Sequence, residues 1–470
     1  MAKIGHRLSG GVALAALLAA APVGAAQAET LNEALAMAYA SNPQLLEQRA
    51  YLRSIDQGVA QALSGWRPSV TLSADGASVK RDDYRISGVS QRDIWRQERS
   101  FGVTLTQPVF TGFGTVNAVS RSKNQVYAGR ESLRSVEQTV LLGAVTAYLD
   151  VWRDLAVVDL TTSNEQVLQR QLEASRDRFA VGEITRTDVA QSEARLSKAQ
   201  ADRVTAEGNL QVSRAAYQRA VGKAPEGITR VPSADALPPD LVTLLKEAVA
   251  ANPDYKAADF TVQAQDDAVG VVRAELLPKV NLVASASQLN DQSYSEDEMK
   301  VYSVGATVSM PLYEGGGTYA RLRAAKDQLA QSRKALERVQ RSVVENGTSA
   351  WESLTSARAQ IVAYREEVRA SEIALDGVRR EAEVGSRTVL DVLDAEQELL
   401  DARVNLVRAQ RSEALASYQV LSAIGRLTAA DMGLDAPLYD PKTHYDEAAG
   451  AWFGTSVFSD DGREGLKSAK

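Results

Sequence analysis

The sequence contains an internal duplication, which constrains the fold of this chain more than any other feature. The motif VGEITRTDVAQSE at residues 181–193 returns as VGSRTVLDVLDAE at residues 384–396, an offset of 203. The segment QPVFTGFG returns as MPLYEGGG at the same offset. Because the paired motifs keep their order along the chain, we predict two structural repeats, 29–224 and 240–434, joined by the proline-containing linker 225–239.

Each repeat carries an unusually long helical pattern. Proline is absent from residues 109–224 and from residues 312–436. Within the second stretch, apolar and small residues recur in alternating steps of three and four with a single stutter, which is typical of a coiled coil. The pattern from Thr318 to Glu383 covers 66 residues and predicts a helix about 100 Å long.

Glycine interrupts the helical pattern in both repeats. Gly182 and Gly385 occupy equivalent positions in the duplicated motif, and the apolar pattern restarts after each of them. Glycine commonly ends helices because it adopts the left-handed backbone conformation without strain. We therefore predict one long helical hairpin in each repeat, with tips at about residues 181–189 and 384–392.

Four segments alternate between apolar and polar residues, which predicts β-strands and an α+β fold class. The predicted strands lie at about residues 68–80, 99–111, 278–289 and 301–313. Their length suits membrane-spanning strands, although two amphipathic hairpins packed on a core would show the same alternation. Four strands are too few to close a membrane barrel, so a barrel would require two or three copies of the chain.

The two ends of the chain differ from the repeats. Residues 1–28 combine Lys3 and Arg7 with a short apolar run and an Ala-Gln-Ala cleavage site, which predicts a secretory signal peptide. No later segment is apolar over 18 consecutive residues, so we predict no transmembrane helix in the mature chain. Residues 435–470 are predicted to form a disordered tail.

The composition argues against several classes of function. The chain contains no cysteine and only two histidines, His6 and His444, which excludes thiolate chemistry and disfavours zinc sites and histidine-based triads. Acidic residues outnumber basic residues by 60 to 53, giving a net charge of −7, which argues against nucleic acid as a partner. We expect no enzymatic activity, no cofactor and no metal.

Asp391 and Asp394 stand three residues apart just past the second glycine turn. On a helix, this spacing places both carboxylates on one face. Such a pair could be the acid and base of a carboxylate hydrolase, a metal site, a selectivity ring or a solvated helix face. A hairpin tip offers no substrate cleft and too few oxygen ligands for a divalent ion, which disfavours the first two.

The order of these features resembles that of the TolC family of outer-membrane efflux and secretion channels. The resemblance covers roughly residues 31–434 and rests on the two VG motifs, the Asn-Pro pair near the start of each repeat, and QPVFTGFG with MPLYEGGG. It implies a homotrimer in the outer membrane of a Gram-negative bacterium. Three chains would form a 12-stranded β-barrel continued by a long α-helical barrel in the periplasm.

The resemblance also implies a function and partners. The channel would be the passive exit duct of a tripartite export system for type I protein secretion, multidrug efflux or both. It would contact outer-membrane lipid, dock with a periplasmic adaptor (a membrane-fusion protein) and serve an inner-membrane ABC or proton-driven transporter. Its periplasmic tip would be closed at rest and open on docking. The alternative is a periplasmic coiled-coil adaptor or stalk without a pore, which would not need four amphipathic strands.

Two aspartates of the second turn line the periplasmic aperture in this family, and the matching positions are Asp391 and Asp394. The resemblance therefore implies six carboxylates around a narrow mouth in a trimer. Such a ring attracts cations and repels anions. Crowding of like charges would oppose full ionisation of the ring.

The resemblance also identifies candidate links that hold the tip closed. The family joins an arginine of the second turn to residues of the first turn, and the matching positions are Arg387, Asp188 and Thr187. A linking tyrosine of the family is replaced by Ala382 in this chain. We therefore expect the closed tip to be held differently from the best-known pattern.

Overall fold

A computed structural model describes residues 29–455 apart from 82–83, 87–88, 92–93, 229–231, 233 and 292–297. The predicted signal peptide, residues 1–28, lies outside the described residues, as do residues 456–470 of the tail and part of the linker. The helices are α1 (Leu31–Ser41), α2 (Pro43–Leu63), α3 (Gly114–Ala180), α4 (Arg186–Val221), α5 (Leu241–Ala251), α6 (Pro253–Ala274), α7 (Gly317–Glu383), α8 (Val389–Ala423) and α9 (Pro441–Gly450). Helices α5 to α8 repeat the order and the approximate lengths of α1 to α4.

The two long helices confirm the predicted coiled-coil hairpins. Helices α3 and α7 each contain 67 residues, which corresponds to about 100 Å. Each packs against the shorter helix that follows it, α4 or α8. Most buried residues of α7 follow the predicted alternating steps of three and four and form one row, the seam of the coiled coil. These residues are Ala325, Leu329, Val343, Gly347, Ala350, Leu354, Ala357, Leu375 and Ala382. Among the described helices, none combines the length and the apolar character that crossing a bilayer requires.

The strands of both repeats form one antiparallel sheet. Across the sheet the order is β1 (Ser69–Arg81), β4 (Ile94–Phe110), β5 (Lys279–Asn290) and β6 (Glu298–Ser309). A small hairpin of β2 (Tyr84–Ile86) and β3 (Val89–Gln91) lies between β1 and β4 in the sequence. Strands β4 and β5 join the two repeats, and β1 and β6 form the outer edges of the sheet within one chain.

The strand register gives the sheet one apolar face and one polar face. An apolar row across the four strands comprises Val70, Leu105, Ala284 and Val304, and the adjacent polar row comprises Thr71, Thr104, Ser285 and Ser303. No core covers the apolar face in the described part of the chain, since Leu72 is 75% exposed and Val304 is 88% exposed. This exposure argues against two hairpins packed on a soluble core.

Left-handed turns connect the strands to the long helices. Gly112 and Phe113 have φ angles of 63° and 66°, and the equivalent Gly315 and Gly316 have 62° and 84°. A Cβ atom at Gly112 would lie 2.8 Å from the carbonyl oxygen of Ala274. The duplicated glycines are therefore explained by backbone conformation in both repeats, and by close packing in the first.

The Asn-Pro pair of each repeat caps a helix and ties that helix to the end of the hairpin. The side-chain oxygens of Asn42 and Asn252 accept hydrogen bonds from backbone N–H groups in the first turns of α2 and α6. Their amide nitrogens donate to the carbonyl oxygens of Ala220 (3.1 Å) and Ala423 (3.3 Å) at the ends of α4 and α8. Each asparagine thus satisfies backbone groups at two helix termini at once.

The main apolar core lies partway along the long helices. It surrounds the middle of α3, where α1, α5, the ends of α4 and α8, and part of α7 pack together. Tyr148 and Tyr217 are almost fully buried in it, with ring centroids 6.5 Å apart. A smaller cluster near the tips contains Leu168, Ala199, Val389 and Leu393, and therefore joins the two hairpins.

The C-terminal tail departs from the sequence expectation. Disorder is predicted for residues 435–470, but the structure forms α9 within this segment and packs it against α2. Asp440 caps the helix by accepting a hydrogen bond from Lys442 N at 2.9 Å, and His444 Nδ1 lies 2.9 Å from Oδ2 of the buried Asp56. Tertiary contacts hold a helix that is too short to show a periodic pattern.

Candidate functional site at the hairpin tips

Both hairpin tips have the same backbone geometry. In the first tip, α3 ends at Ala180 and α4 begins at Arg186. In the second, α7 ends at Glu383 and α8 begins at Val389. Gly182 and Gly385 both adopt φ of 79°, and a Cβ atom at either would meet no atom within 4 Å. Glycine is therefore favoured at the predicted turn positions by the left-handed backbone conformation, and not by a lack of room for a side chain.

Asp188 and Asp391 close capping boxes at the starts of α4 and α8. Oδ2 of Asp188 accepts hydrogen bonds from Thr185 N (2.9 Å) and Thr185 Oγ1 (2.7 Å). Oδ2 of Asp391 accepts equivalent bonds from Thr388 N (2.9 Å) and Thr388 Oγ1 (2.8 Å). These hydrogen bonds favour the charged carboxylates and lower the pKa of both aspartates. Each aspartate thus has a structural task within its own hairpin.

Asp394 forms a link between the two hairpins. Its Oδ1 accepts a hydrogen bond from Nη2 of Arg195 on α4. One turn further along, Lys198 Nζ donates to Gln397 Oε1 at 3.3 Å. Asp391 and Asp394 lie on adjacent turns of the same helix, and their side chains are 39% and 52% exposed. Both carboxylates are therefore accessible to solvent in the single chain.

Arg387 pairs within its own turn. Its Nε donates to Glu381 Oε2 at 2.9 Å, and Nη1 lies 3.8 Å from Asp391 Oδ1. The hydrogen bond to Glu381 is the main cause of the raised pKa of Arg387. In the part of the chain that the structure describes, Arg387 forms no hydrogen bond or ion pair with Thr187 or Asp188. The three predicted closure residues are thus not brought together within one protomer.

Each hairpin contains an ion pair near its tip that joins its two helices. Neither pair was predicted from the sequence. Arg176 on α3 pairs with Glu193 on α4 at 2.8 Å. Arg379 on α7 pairs with Glu396 on α8, and both members are offset by 203 from the first pair. The sequence contains a signal for these pairs, since in both repeats the glutamate of the duplicated motif follows an arginine by 17 residues.

Arg195 was also missed, although a signal for it exists. Gln191 is the first-repeat equivalent of Asp394, and Arg195 lies one helical turn after Gln191. Residues four apart share a helix face, so the first repeat presents a cation on the face where the second presents a carboxylate. Only the packing of α4 against α8 brings these two faces together.

The arrangement suits interactions between charged groups better than the making and breaking of covalent bonds. The tip carboxylates are exposed and bonded to arginine or to capping groups, not held in a cleft. Within the described residues, no group of three or more metal-ligating side chains could hold a metal ion. The tips thus present charges that attract or link other charged groups.

Comparison with known proteins places these features in one family. The profile of the family described as outer membrane efflux protein matches residues 34–223 and 244–426. The chain is 38% identical over 441 residues to the outer membrane efflux protein BepC of Brucella suis, covering 93% of this chain and 94% of that protein. It is 27% identical to the outer membrane protein TolC of Escherichia coli, with 86% and 84% covered. The structure of VceC from Vibrio cholerae has the same fold, with a TM-score of 0.73, 21% identity, and 84% and 96% covered.

Proposed function

This chain belongs to the outer membrane efflux protein family, and from that premise we propose that three copies assemble into the exit duct of a tripartite export system. As a member of this family it is an outer-membrane channel protein and not an enzyme. Its helical hairpins form the large periplasmic part. The repeats, at about 29–224 and 240–434 on either side of a linker, each supply two strands and one hairpin to the assembly.

The observation that carries this proposal is the four-stranded sheet with an uncovered apolar face and two open edges. An open edge exposes unpaired backbone N–H and C=O groups, which a bilayer cannot satisfy. Pairing β6 of one copy with β1 of the next satisfies these groups and closes the sheet. Three copies give 12 strands, within the range of membrane barrels, and place apolar rows toward lipid.

The polar face of the sheet would then line the lumen. Small hydroxyl side chains such as those of Thr104, Ser285 and Ser303 occupy this face. Below the barrel, the hairpins of about 100 Å would continue the conduit across the periplasm. A stalk or adaptor without a pore gives no reason for a lipid-compatible sheet, so the channel is the better account.

We assign the periplasmic aperture to Asp391 and Asp394. The exposed carboxylates at the second tip, repeated three times, would form a cation-attracting ring. Because hydrogen bonds lower the pKa of Asp391, this member of the ring stays charged near neutral pH in the single chain. Arg195, which pairs with Asp394, would hold the ring in position from the first hairpin.

We propose that Arg387 links neighbouring protomers at the closed tip. Thr187 and Asp188 lie at the equivalent turn of the first hairpin, and among the described residues the partners of Arg387 within its own chain are Glu381 and Asp391. A link to the next chain would tie the three hairpin pairs into a ring and break when the tip opens. Ala382 is buried in the α7 seam and has no polar group to contribute to such a link.

The proposed partners follow from the architecture of the duct. A passive channel needs an energy source, which an inner-membrane ABC or proton-driven transporter would supply through a periplasmic adaptor. Docking of the adaptor on the hairpins would open the tip. The cargo would be a secreted protein, small molecules or both, since a passive duct does not encode it.

The purified protein in detergent and in planar bilayers tests this proposal. We expect a heat-resistant trimer in mild detergent and single-channel conductance after reconstitution. Co-purification from cells after cross-linking should recover an adaptor and an inner-membrane transporter. A monomer that is released in soluble form by osmotic shock would contradict the channel assignment.

A further inference from the structure

We propose that residues 449–455 bind the periplasmic leaflet of the outer membrane, with the side chains of Trp452 and Phe453 among the lipid headgroups. The segment begins with the last two residues of α9, Ala449 and Gly450, and is the last part of the chain that the structure describes. The inference rests on the proposed function, because it takes the sheet to be the membrane-spanning part. It gives the C-terminal tail a role as a membrane anchor.

Arg67 fixes this segment at the base of the sheet. Its Nη1 donates to the carbonyl oxygen of Ala451 at 2.7 Å, and its Nη2 donates to that of Ala449 at 3.2 Å. The guanidinium carbon also lies 4.6 Å from the ring centroid of Trp452. Strand β1 begins two residues after Arg67. The tail is therefore held directly beneath the first membrane strand.

Several aromatic side chains at the end of the sheet near Arg67 are exposed to solvent. Trp452 is 61% exposed and Phe453 is 94% exposed. Trp66 is also exposed and is tied to β4 through its carbonyl oxygen, which accepts from Gln107 Nε2 at 3.0 Å. Tyr313, which follows β6 at the same end of the sheet, is exposed as well. Aromatic side chains concentrate at this depth in membrane proteins because their rings are amphipathic.

Continuity with the apolar face of the sheet favours lipid as the occupant. Val70, in the row of β1 nearest to Arg67, is exposed on the face assigned to the bilayer. Trp452 stacks on Arg67, which precedes Val70 by three residues, so an aromatic ring lies next to the start of this row. A guanidinium beside the ring of Trp452 adds a positive charge where phospholipid phosphates lie. Phospholipid of the periplasmic leaflet matches both features.

Single-cysteine spin labelling of the full chain in lipid nanodiscs tests this inference. Because the chain contains no cysteine, Phe453→Cys, Leu72→Cys and Phe179→Cys can each be labelled at one site. Leu72 reports the lipid face of the sheet, and Phe179 at the first hairpin tip reports the periplasm. Collision rates with oxygen, which concentrates in lipid, and with a water-soluble nickel chelate measure the depth of each label.

We expect the oxygen-to-nickel ratio of the label at 453 to lie between those at 72 and 179, and to be raised severalfold over that at 179. Arg67→Gln should return the label at 453 toward the value at 179, because the segment loses its tether. A water-exposed label at 453 beside a lipid-exposed label at 72 overturns the anchor and leaves the channel intact. Water exposure at both sites contradicts the channel itself. A label at 453 shielded from both reagents places a second protein chain there and also overturns the inference.

Discussion

Thr388 and Asp391 satisfy each other's backbone groups at the start of α8, and Thr185 and Asp188 do the same for α4. The family resemblance connected Asp391 with an aperture, and its capping role was readable as well, since Thr-x-x-Asp before a helix is a capping-box pattern. What could not be read was the partner of Asp394, because Arg195 lies 199 residues away and reaches it only through packing.

Replacing the cap threonine should loosen the second tip alone. Thr388→Ala removes a hydrogen bond to Asp391 N and should cost about 1 kcal/mol of local stability. We expect faster amide exchange at residues 384–395 by mass spectrometry, with no change at the first tip. Thr185→Ala is the matched control and should move the effect to residues 181–192. Unchanged exchange in both variants would contradict the capping assignment.

The lowered pKa values predict how the tips respond to acid. A carboxyl group with a lowered folded-state pKa contributes stability above its unfolded pKa, which is roughly 3.9 for aspartate. This contribution disappears as the pH falls through the folded-state value. Amide protection at both tips, corrected for intrinsic exchange, should therefore stay constant near neutral pH and fall only in strong acid. A change in amide protection near neutral pH would instead indicate that neighbouring carboxylates in the trimer oppose the ionisation of these aspartates.

The duplicated glycines before the long helices offer a matched pair of substitutions. Gly112→Ala and Gly315→Ala each place a side chain in the left-handed region, at roughly 1–2 kcal/mol. Gly112→Ala also meets the Ala274 carbonyl at 2.8 Å, whereas Gly315→Ala meets nothing within 4 Å. The temperature of trimer dissociation should fall further for Gly112→Ala. Equal losses would show that the backbone conformation alone matters.

At the scale of elements, the heptad seam predicted the long helices and their tips because a coiled coil repeats one local pattern many times. Helix α9 escaped prediction because a ten-residue helix presents too few turns for a periodic signal. Its start was marked by Asp440 and Pro441, a capping residue followed by proline at the first helical position. Its packing on α2 depends on tertiary contacts that no local pattern encodes.

The link between hairpins should govern opening of the tip. Arg195→Gln removes the ion pair between α4 and Asp394, so the second hairpin should move outward more readily. Exposed pairs contribute no more than about 1 kcal/mol each, but a trimer contains three. We expect more frequent openings in single-channel recordings, and recovery of the closed state in the charge swap Arg195→Asp with Asp394→Arg.

Arg176→Gln provides the control for this prediction. Its ion pair with Glu193 joins α3 to α4 within one hairpin and does not connect the two hairpins. Opening should therefore stay close to that of the unmodified protein. If Arg176→Gln and Arg195→Gln open the tip equally, general loosening of the helices replaces the specific link as the explanation.

At the scale of the whole molecule, the alternation of each strand was readable but the order of the strands was not. The pairing of β4 with β5 joins segments from different repeats, and a period of two says nothing about which strands become neighbours. The uncovered apolar face and the two open edges appear only once that order is known. Both features favour a closed barrel that several copies share and whose apolar face contacts lipid.

The central claim, that a trimer encircles an aperture with Asp391 and Asp394, is tested most directly by ion selectivity. The measurement is the reversal potential of single channels across a potassium chloride gradient. The combined variant Asp391→Asn with Asp394→Asn should lose most of the cation preference, whereas Glu193→Gln, which removes a carboxylate near the tip of the first hairpin, should keep it. Unchanged selectivity in the combined variant would remove these residues from the aperture and contradict the account.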